Sequence, residues 1–259
     1  MPRAFTRAVS PRIAECQLTH QERVPIDAAR AAAQHGAYEQ ALADAGLEIV
    51  RLPDLPEDPD AVFVEDTALL LDGHAIITRP GAFSRIGETS STASGLAGHF
   101  QLHRVTHGLL DGGDVMLIGQ TLYVGLSTRT DADGIAALRA LAEPIGYFVQ
   151  QAALGDCLHL KTGATFAGPD KTGEPILLFN PRAIDPAQFK DVRPLPTADD
   201  EPAAANCLRV GNRVILPAGN PKTASTLRDR GFDVVEVDVS ELQKAEAGVT
   251  CMSLIDDRP

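Results

Sequence analysis

A cysteine near the end of the chain and a histidine near its middle could form a nucleophilic pair. Cys251 lies in the run GVTCMSL, and His159 lies in DCLHLKTG. A cysteine becomes a nucleophile when a cationic neighbour or an adjacent base favours its thiolate, and a histidine needs only a small pKa shift to act as acid or base near neutral pH. Taken alone, each residue is more commonly part of a core. The pair therefore predicts nucleophilic catalysis only if the fold brings the two residues together.

Two acidic motifs offer partners for such a pair. In LDGGDVM, Asp111 and Asp114 flank two glycines, which allow a tight turn or the close approach of another group. An acid there could orient the histidine as in a catalytic triad, although a plain turn explains the motif equally well. In VFVEDTALLL, Glu65 and Asp66 are predicted to lie within an apolar strand, which would bury one of them. A paired, buried carboxylate beside a thiol suits a planar guanidinium cation.

Two arginines each follow a predicted strand. Arg85 lies in FSRIGE and Arg129 lies in LSTRTD. Most arginines in such positions are solvated. The alternative is that the two together hold the carboxylate of a substrate.

Composition and charge exclude several kinds of partner. The net charge of -12 argues against nucleic acid or an anionic membrane surface and is compatible with a cationic small molecule. No apolar run approaches the ~18–20 residues needed to cross a bilayer, and the N-terminal segment lacks the apolar region of a signal peptide. The four cysteines form no CxxC pair. We therefore expect a cytoplasmic protein with free thiols.

The elements that must position these residues recur along the chain. Four segments (41–52, 95–105, 138–150 and 226–237) combine a helical stretch, a glycine or turn and an apolar strand, and a strand pair follows each of them. The units start at positions that are 45 to 48 residues apart, which suits a strand–strand–helix–strand unit. Five units predict a closed ring in which equivalent positions converge on the axis, and a generic α/β sheet without pseudo-symmetry is the alternative. The unit starts are Asp66, Asp114, His159, Asn206 and Cys251.

Turn and capping signals support these units. Asp27 is predicted to cap a helix that Gly46 ends, and Asn220 is predicted to cap a helix that starts with Pro221 and ends at Gly231. Three dipeptides predict tight turns between paired strands. They are Asp72-Gly73, Gly119-Gln120 and Gly211-Asn212.

The chain resembles the dimethylarginine dimethylaminohydrolases, which are relatives of arginine deiminase in the guanidino-group modifying, or pentein, superfamily. The resemblance implies an α/β fold, the five-bladed ββαβ propeller with pseudo-fivefold symmetry, formed by residues 1–259 as a single catalytic domain. The matching stretches span nearly the whole chain in the family's order. They are PDAVFVEDTAL (59–69), RPGAFSRIGE (79–88), LDGGDVM (110–116), VGLSTRT (124–130), CLHLK (157–161) and GVTCMSL (248–254).

The resemblance also implies roles for the candidate residues. Cys251 would be the nucleophile, His159 its acid/base partner, and Asp111 the acid that orients the histidine. The other positions would bind substrate. They are Glu65 and Asp66 for the guanidinium, Asp60 and the backbone of Leu18 for the α-amino group, Arg85 and Arg129 for the carboxylate, and a backbone carbonyl near Ala245.

The implied reaction is hydrolysis of Nω,Nω-dimethyl- or Nω-monomethyl-L-arginine to L-citrulline and dimethylamine or methylamine, through a covalent thiouronium on the cysteine. It implies no metal or organic cofactor, and zinc held by the Cys–His pair would inhibit. The expected partner is a small cationic amino acid, and a homodimer is left open. Two alternatives also stay open: an arginine or agmatine deiminase that releases ammonia, and a non-catalytic amino-acid-binding protein. Lys161 favours an alkylated substrate, because arginine deiminases commonly carry an aspartate there.

Overall fold

The computed structural model describes residues 1–258, and these form five sheets of three strands each. In every sheet the middle strand pairs antiparallel with one neighbour and parallel with the other. The five predicted strand-rich units are therefore confirmed. The strands are β1 (Arg3–Thr6), β2 (Glu48–Arg51), β3 (Ala68–Leu71), β4 (His74–Ile77), β5 (Gln101–Arg104), β6 (Val115–Ile118), β7 (Thr121–Gly125), β8 (Phe148–Ala152), β9 (Ala164–Pro169), β10 (Pro175–Phe179), β11 (Arg193–Pro196), β12 (Leu208–Val210), β13 (Arg213–Pro217), β14 (Asp233–Val237) and β15 (Leu254–Asp256).

The two ends of the chain share one sheet, which closes the ring. β15 pairs antiparallel with β1, with Phe5 opposite Leu254, and β1 pairs parallel with β2. The first strands of neighbouring sheets approach each other: β15 contacts β3, β6 contacts β9, and β9 contacts β12. Residues just before these strands are thereby brought to the same end of the ring.

Helices connect the middle and outer strands of four sheets, as the four helical segments predict. In the fourth sheet, the connection from β10 to β11 instead carries a short 3-10 turn, Pro186–Gln188. Buried apolar residues form five clusters instead of a single core. No helix of the part described here combines the length and apolar character of a membrane span. The helices are α1 (Ala28–Asp44), α2 (Glu88–Leu96), α3 (Ala132–Ala142), α4 (Leu160–Gly163), α5 (Pro221–Asp229) and α6 (Ser240–Gln243).

The local signals are largely confirmed. The Asp27 carboxylate accepts hydrogen bonds from the amides of Ala29 and Arg30, and Gly46 follows α1 with φ of 92°. All three predicted dipeptides separate paired strands. Asn220 does precede α5, but its side-chain amide donates to the carbonyl of Pro217 instead of capping the helix. The helix therefore begins at Pro221 without a side-chain cap from Asn220.

The strand predicted around Glu65 and Asp66 is wrong in its first half. Both acids lie in a 3-10 turn, Val64–Thr67, that precedes β3. The hydroxyl of Thr67 donates to the carbonyl of Val64 at 2.6 Å, a local bond that competes with extended backbone. His159 lies directly before α4, in extended backbone. Corresponding 3-10 turns come before β6, β12 and β15, at Gly112–Asp114, Pro202–Ala205 and Thr250–Met252.

Candidate active site

A small cavity lies where several of these turns meet. Its volume is about 30 Å³, space for only a few water molecules. Seven of the ten predicted site residues line it. The lining residues are Gln17, Asp60, Phe63, Asp66, Arg85, Arg129, Leu158, His159, Ala245, Glu246, Ala247 and Cys251. The fold therefore brings the nucleophile candidate and the base candidate into one hollow.

His159 is held between carboxylates. Its Nε2 lies 3.0 Å from Oδ2 of Asp111, and its Nδ1 lies 4.0 Å from Oδ1 of Asp66. Burial acts to lower the pKa of His159, but Asp66, Asp114 and Asp111 outweigh it and raise the pKa to about 9. The imidazole is therefore protonated at neutral pH, and Asp111 lies within hydrogen-bond distance of its Nε2.

The two glycines of LDGGDVM allow this close packing. A Cβ on Gly113 would lie 2.7 Å from Nδ1 of His159 and 2.8 Å from Oδ1 of Asp66. A Cβ on Gly112 would lie 2.0 Å from the carbonyl oxygen of Glu65. The amide of Gly113 also donates to Asp66 Oδ1 at 3.0 Å. The motif is thus required for close approach, one of the two explanations that the sequence allowed.

Cys251 lies in the turn before β15 and is half-buried. The amide of Gly248 donates to its Sγ at 3.3 Å. Burial, followed by the charges of Glu65 and Asp66, raises the pKa of Cys251 to about 12, although Lys161 acts in the opposite direction. With these groups around it, the sulfur is a neutral thiol near pH 7.

Asp66 and Arg85 form a buried ion pair beside this thiol. Nη1 of Arg85 lies 2.5 Å from Asp66 Oδ2, and Nη2 lies 2.8 Å from Oε2 of Glu88. Nη2 also donates to the carbonyl of Phe63 at 2.7 Å. Burial alone would raise the pKa of Asp66, but His159 and Arg85 hold it below its usual value. Glu88 is not among the residues predicted for the site, although its spacing of three residues from Arg85 at the start of a helix is a signal for an ion pair.

Arg129 and Asp60 both contact the segment that follows Cys16. Nη2 of Arg129 donates to Oγ1 of Thr19 at 3.0 Å, while its Nη1 lies 3.7 Å from Asp111 Oδ2. The carboxylate of Asp60 accepts from the amide of Gln17 at 3.1 Å, and burial raises its pKa. Leu18, between these contacts, packs against a core cluster, so that Gln17 lines the cavity in its place.

Glu65 faces a different space from Asp66. It lines a second cavity, of about 290 Å³, together with Lys161 and Thr250. Its Oε1 lies 2.7 Å from Nζ of Lys161, and its Oε2 accepts from Thr250 Oγ1 at 2.7 Å. Burial raises the pKa of Glu65, against the opposing charge of Lys161. The contact between Glu65 and a guanidinium remains a prediction, since this carboxylate is already paired.

One group of side chains in the described chain has the geometry of a cation site. Ligand atoms of Asp66, Asp111 and His159 all lie within 4.8 Å of one another. Two carboxylates and an imidazole are acceptable ligands for a divalent cation such as zinc. The imidazolium of His159 already balances the charge of the two carboxylates, so the proximity of these three residues is equally explained by a role in proton transfer.

The arrangement suits attack on a cationic carbon. A thiol, an imidazolium and a buried carboxylate line one small cavity. Once the imidazolium has given up its proton, the neutral ring can itself act as the base. A planar cation bound at Asp66 would lie beside the sulfur. The chemistry that this geometry supports is nucleophilic displacement at a guanidinium or amidinium group.

Comparisons with known proteins point the same way. No protein-family model matches the chain. The chain is 40% identical over 254 residues to the N(G),N(G)-dimethylarginine dimethylaminohydrolase of Streptomyces coelicolor, a match that covers 97% of this chain and 96% of that one. It is 38% identical over 231 residues to the protein of the same name from Pseudomonas aeruginosa, covering 88% and 89% of the two chains.

Solved structures agree with the fold. A cysteine-to-serine variant of the Pseudomonas aeruginosa enzyme in complex with citrulline matches with a TM-score of 0.90 and 35% identity, covering 98% of each chain. The N-terminal domain of the arginine dihydrolase ArgZ matches with a TM-score of 0.85 at 19% identity, covering 98% and 97% of the two chains. At that identity the second match speaks for the fold alone. The five-bladed ββαβ propeller expected from the sequence is confirmed.

Proposed function

The chain belongs to the dimethylarginine dimethylaminohydrolase family, and from this premise we propose that it hydrolyses Nω-methylated L-arginine to L-citrulline and an alkylamine. The observation that supports this most directly is the cavity shared by Cys251, His159 and Asp66. These residues supply a sulfur nucleophile, a proton carrier and a carboxylate for the guanidinium. The ligand is a small amino acid.

The substrate's own charge helps to form the nucleophile. The carboxylates of Glu65 and Asp66 contribute to the pKa of about 12 at Cys251. A guanidinium placed beside Asp66 offsets that negative charge, so the pKa of the thiol falls when substrate binds. The thiol then loses its proton to solvent, and the thiolate forms next to the carbon that it attacks.

Hydrolysis proceeds in two steps. The Cys251 thiolate adds to the guanidinium carbon, and the His159 imidazolium gives its proton to the departing dimethylamine or methylamine as the C–N bond breaks. A thiouronium remains on the sulfur. Neutral His159 then takes one proton from water, whose oxygen attacks the same carbon. The C–S bond breaks as the new hydroxyl gives its proton to the leaving sulfur, which releases citrulline and restores the thiol. Because Nε2 is held by Asp111, the Nδ1 side of the ring carries out these transfers.

The far end of the substrate is bound by groups around the 17–19 segment. Asp60, with the backbone of Leu18, takes the α-amino group, and Arg129 takes the carboxylate. Arg85 contributes less to the carboxylate than the sequence suggests, because Asp66, Glu88 and a backbone carbonyl already accept from it. The carbonyl near Ala245 remains a proposed contact at the cavity wall.

A substrate panel tests this function. The purified protein is incubated with dimethylarginine, monomethylarginine, arginine and agmatine, and both citrulline and the released amine are measured. We expect citrulline together with dimethylamine or methylamine from the two methylated substrates. Ammonia release from arginine or agmatine at a higher kcat/KM would instead identify a deiminase. Binding of the ligands without any product would identify a binding protein.

We further propose that the protein works in the cytoplasm. Its four cysteines are free thiols, Cys251 among them. A free, functional thiol persists most readily in a reducing compartment.

A further inference from the structure

The segment 17–21, called the lid segment below, covers the cavity. Gln17 lines the cavity, and Thr19 receives a hydrogen bond from Arg129 in the cavity wall. The space inside is about 30 Å³, whereas sites for small ligands usually measure about 300–1,000 Å³. An arginine-sized substrate can therefore enter only if part of the wall moves.

One carboxylate fastens this segment through three successive amides. Oε2 of Glu246 accepts from the amide of Thr19 at 2.9 Å, and Oε1 accepts from the amides of His20 and Gln21 at 2.5 Å each. Consecutive backbone N–H groups directed at one anion form a concave anion-binding site. Glu246 itself lies in the cavity wall, so it links the lid segment directly to the site.

The backbone at Glu246 is held in a sparsely populated conformation. Its φ of 60° lies in the left-handed region, which a residue with a long side chain adopts rarely. Strain of this kind persists only where surrounding contacts fix it. Here the fixing contacts are the bonds that end α6, from the amides of Glu246 and Ala247 to the carbonyls of Gln243 and Leu242, together with the three amides of the lid segment.

Two further contacts of the lid segment differ in kind from those made by Glu246. The amide of Gln17 is held by Asp60, and Thr19 is held by Arg129. Asp60 is also the group proposed to bind the α-amino end of the substrate, and Arg129 is the group proposed to bind its carboxylate. The substrate therefore competes for these two fastenings when it binds. The hydrogen bonds from the three amides to Glu246 use no group that binds the substrate, so the substrate does not compete for them.

Opening of the lid segment would join the cavity to a larger space. A chamber of about 460 Å³ lies beside it and shares Leu158, Glu246 and Ala247 with its wall. His20 and Gln21, two of the three residues bound by Glu246, line that chamber. Displacing the lid segment, whose Gln17 lines the cavity and whose His20 and Gln21 line the chamber, would therefore join the two spaces.

We propose that Glu246 is a positioning residue that latches the lid segment over Cys251 and so controls substrate entry and retention. The identity of the substrate rests on the proposed function, but the latch itself does not. Loss of the carboxylate frees three amides and exposes the thiol. Bound substrate is then held less firmly, while the reacting groups stay in place.

The test compares Glu246→Ala and Glu246→Gln with the unaltered protein. Hydrogen–deuterium exchange of the peptide containing residues 19–21, and iodoacetamide labelling of Cys251 mapped by mass spectrometry, are measured without substrate. We expect Glu246→Ala to raise both rates at least tenfold, and Glu246→Gln to raise them less, since its amide oxygen still accepts. If the alanine variant does not fold, the glutamine variant alone is decisive.

Asp170→Ala is the matched control, because Asp170 also accepts from nearby amides, those of Thr172 and Glu174, in a turn of the fourth sheet. It should leave the exchange of 19–21 and the labelling of Cys251 unchanged. In turnover assays, the Glu246 variants should raise KM tenfold or more and change kcat less than threefold. Unchanged exchange at 19–21 in the variants would overturn the latch. Faster exchange in a protein that releases no citrulline would sustain the latch and refute the proposed function.

Discussion

Nε2 of His159 lies 3.0 Å from Oδ2 of Asp111, although the two residues are 48 positions apart in the chain. The acid is itself fixed. The amide of Gly81 donates to its Oδ1 at 2.8 Å, and its own amide donates to Thr130 Oγ1 at 3.1 Å. Oδ2 of Asp111 accepts a hydrogen bond from the Nε2–H group and leaves Nδ1 toward the cavity, so this bond sets the direction in which the ring transfers protons.

Asp111→Asn should lower kcat by about 10²- to 10⁴-fold while leaving substrate affinity similar, because the amide no longer enforces the correct orientation of the ring. The pKa of His159 should fall at the same time, since Asp111 is one of the groups that raise it. Steady-state kinetics and NMR titration of the histidine check both effects. Partial recovery in Asp111→Glu is the control. A kcat within threefold of the unaltered protein would remove Asp111 from the mechanism.

Gly113→Ala should displace His159 or Asp66, because the added methyl would lie within 2.8 Å of both side chains. We expect a loss of stability of about 1–3 kcal/mol from overpacking, together with a loss of activity larger than that stability change explains. Urea unfolding and citrulline assays measure the two. Gly98→Ala is the control, since an added methyl there meets nothing within 4 Å. Equal behaviour of the two variants would contradict the packing argument.

The free energy of unfolding should depend on pH through His159. Its pKa rises from 6.5 to about 9 on folding, so the stabilisation is fully present below pH 6.5 and is lost as pH rises through 9. The raised pKa corresponds to about 3 kcal/mol. Urea unfolding of the protein and of His159→Gln between pH 6 and 9.5 measures this contribution. Identical pH slopes for the two proteins in that window would show that the imidazole is not charged in the fold.

Arg85→Ala should destabilise the protein more than it weakens substrate binding. The change leaves the buried carboxylates of Asp66 and Glu88 without their cation, at a cost of about 3–5 kcal/mol. Arg129→Ala is the comparison, because the nearest carboxylate lies 3.7 Å away and the arginine is proposed to bind substrate. That variant should mainly raise KM. The reverse order of stability losses would assign Arg85 to the substrate instead.

Periodicity gave most of the fold because each unit has the same local signals. Turn dipeptides such as Asp72-Gly73 and the cap at Asp27 depend on only a few neighbouring residues, so they can be identified without knowledge of the tertiary contacts. The apolar residues that flank Glu65 and Asp66 predict a strand there, whereas the two acids lie in a 3-10 turn. The Thr67 hydroxyl and the close approach of Gly112 to the Glu65 carbonyl favour a turn, and both act through neighbours that the pattern does not reveal.

The site was harder to predict than the fold for a related reason. The spacing of 45 to 48 residues identifies the unit starts, and therefore Cys251 and His159. It does not show which side chains contact them. The partners that decide the chemistry come from elsewhere in the chain. Lys161 neutralises Glu65 from another unit, and Glu246 binds amides 225 to 227 residues away. Contacts of this kind are set by ring closure, which no short motif encodes.

The proposed mechanism requires a covalent bond between the sulfur of Cys251 and the guanidinium carbon of the substrate. Trapping of this adduct is the decisive experiment. The protein is mixed with dimethylarginine or monomethylarginine, quenched in acid within milliseconds to seconds, digested and analysed by mass spectrometry, with Cys251→Ser and Cys157→Ser in parallel. We predict the same thiouronium mass on the Cys251 peptide from both substrates, because the alkylamine has already left. The adduct should be absent from Cys251→Ser and present in Cys157→Ser. Citrulline formation by Cys251→Ser at a rate near that of the unaltered protein, or an adduct that retains the methyl groups, would contradict the account.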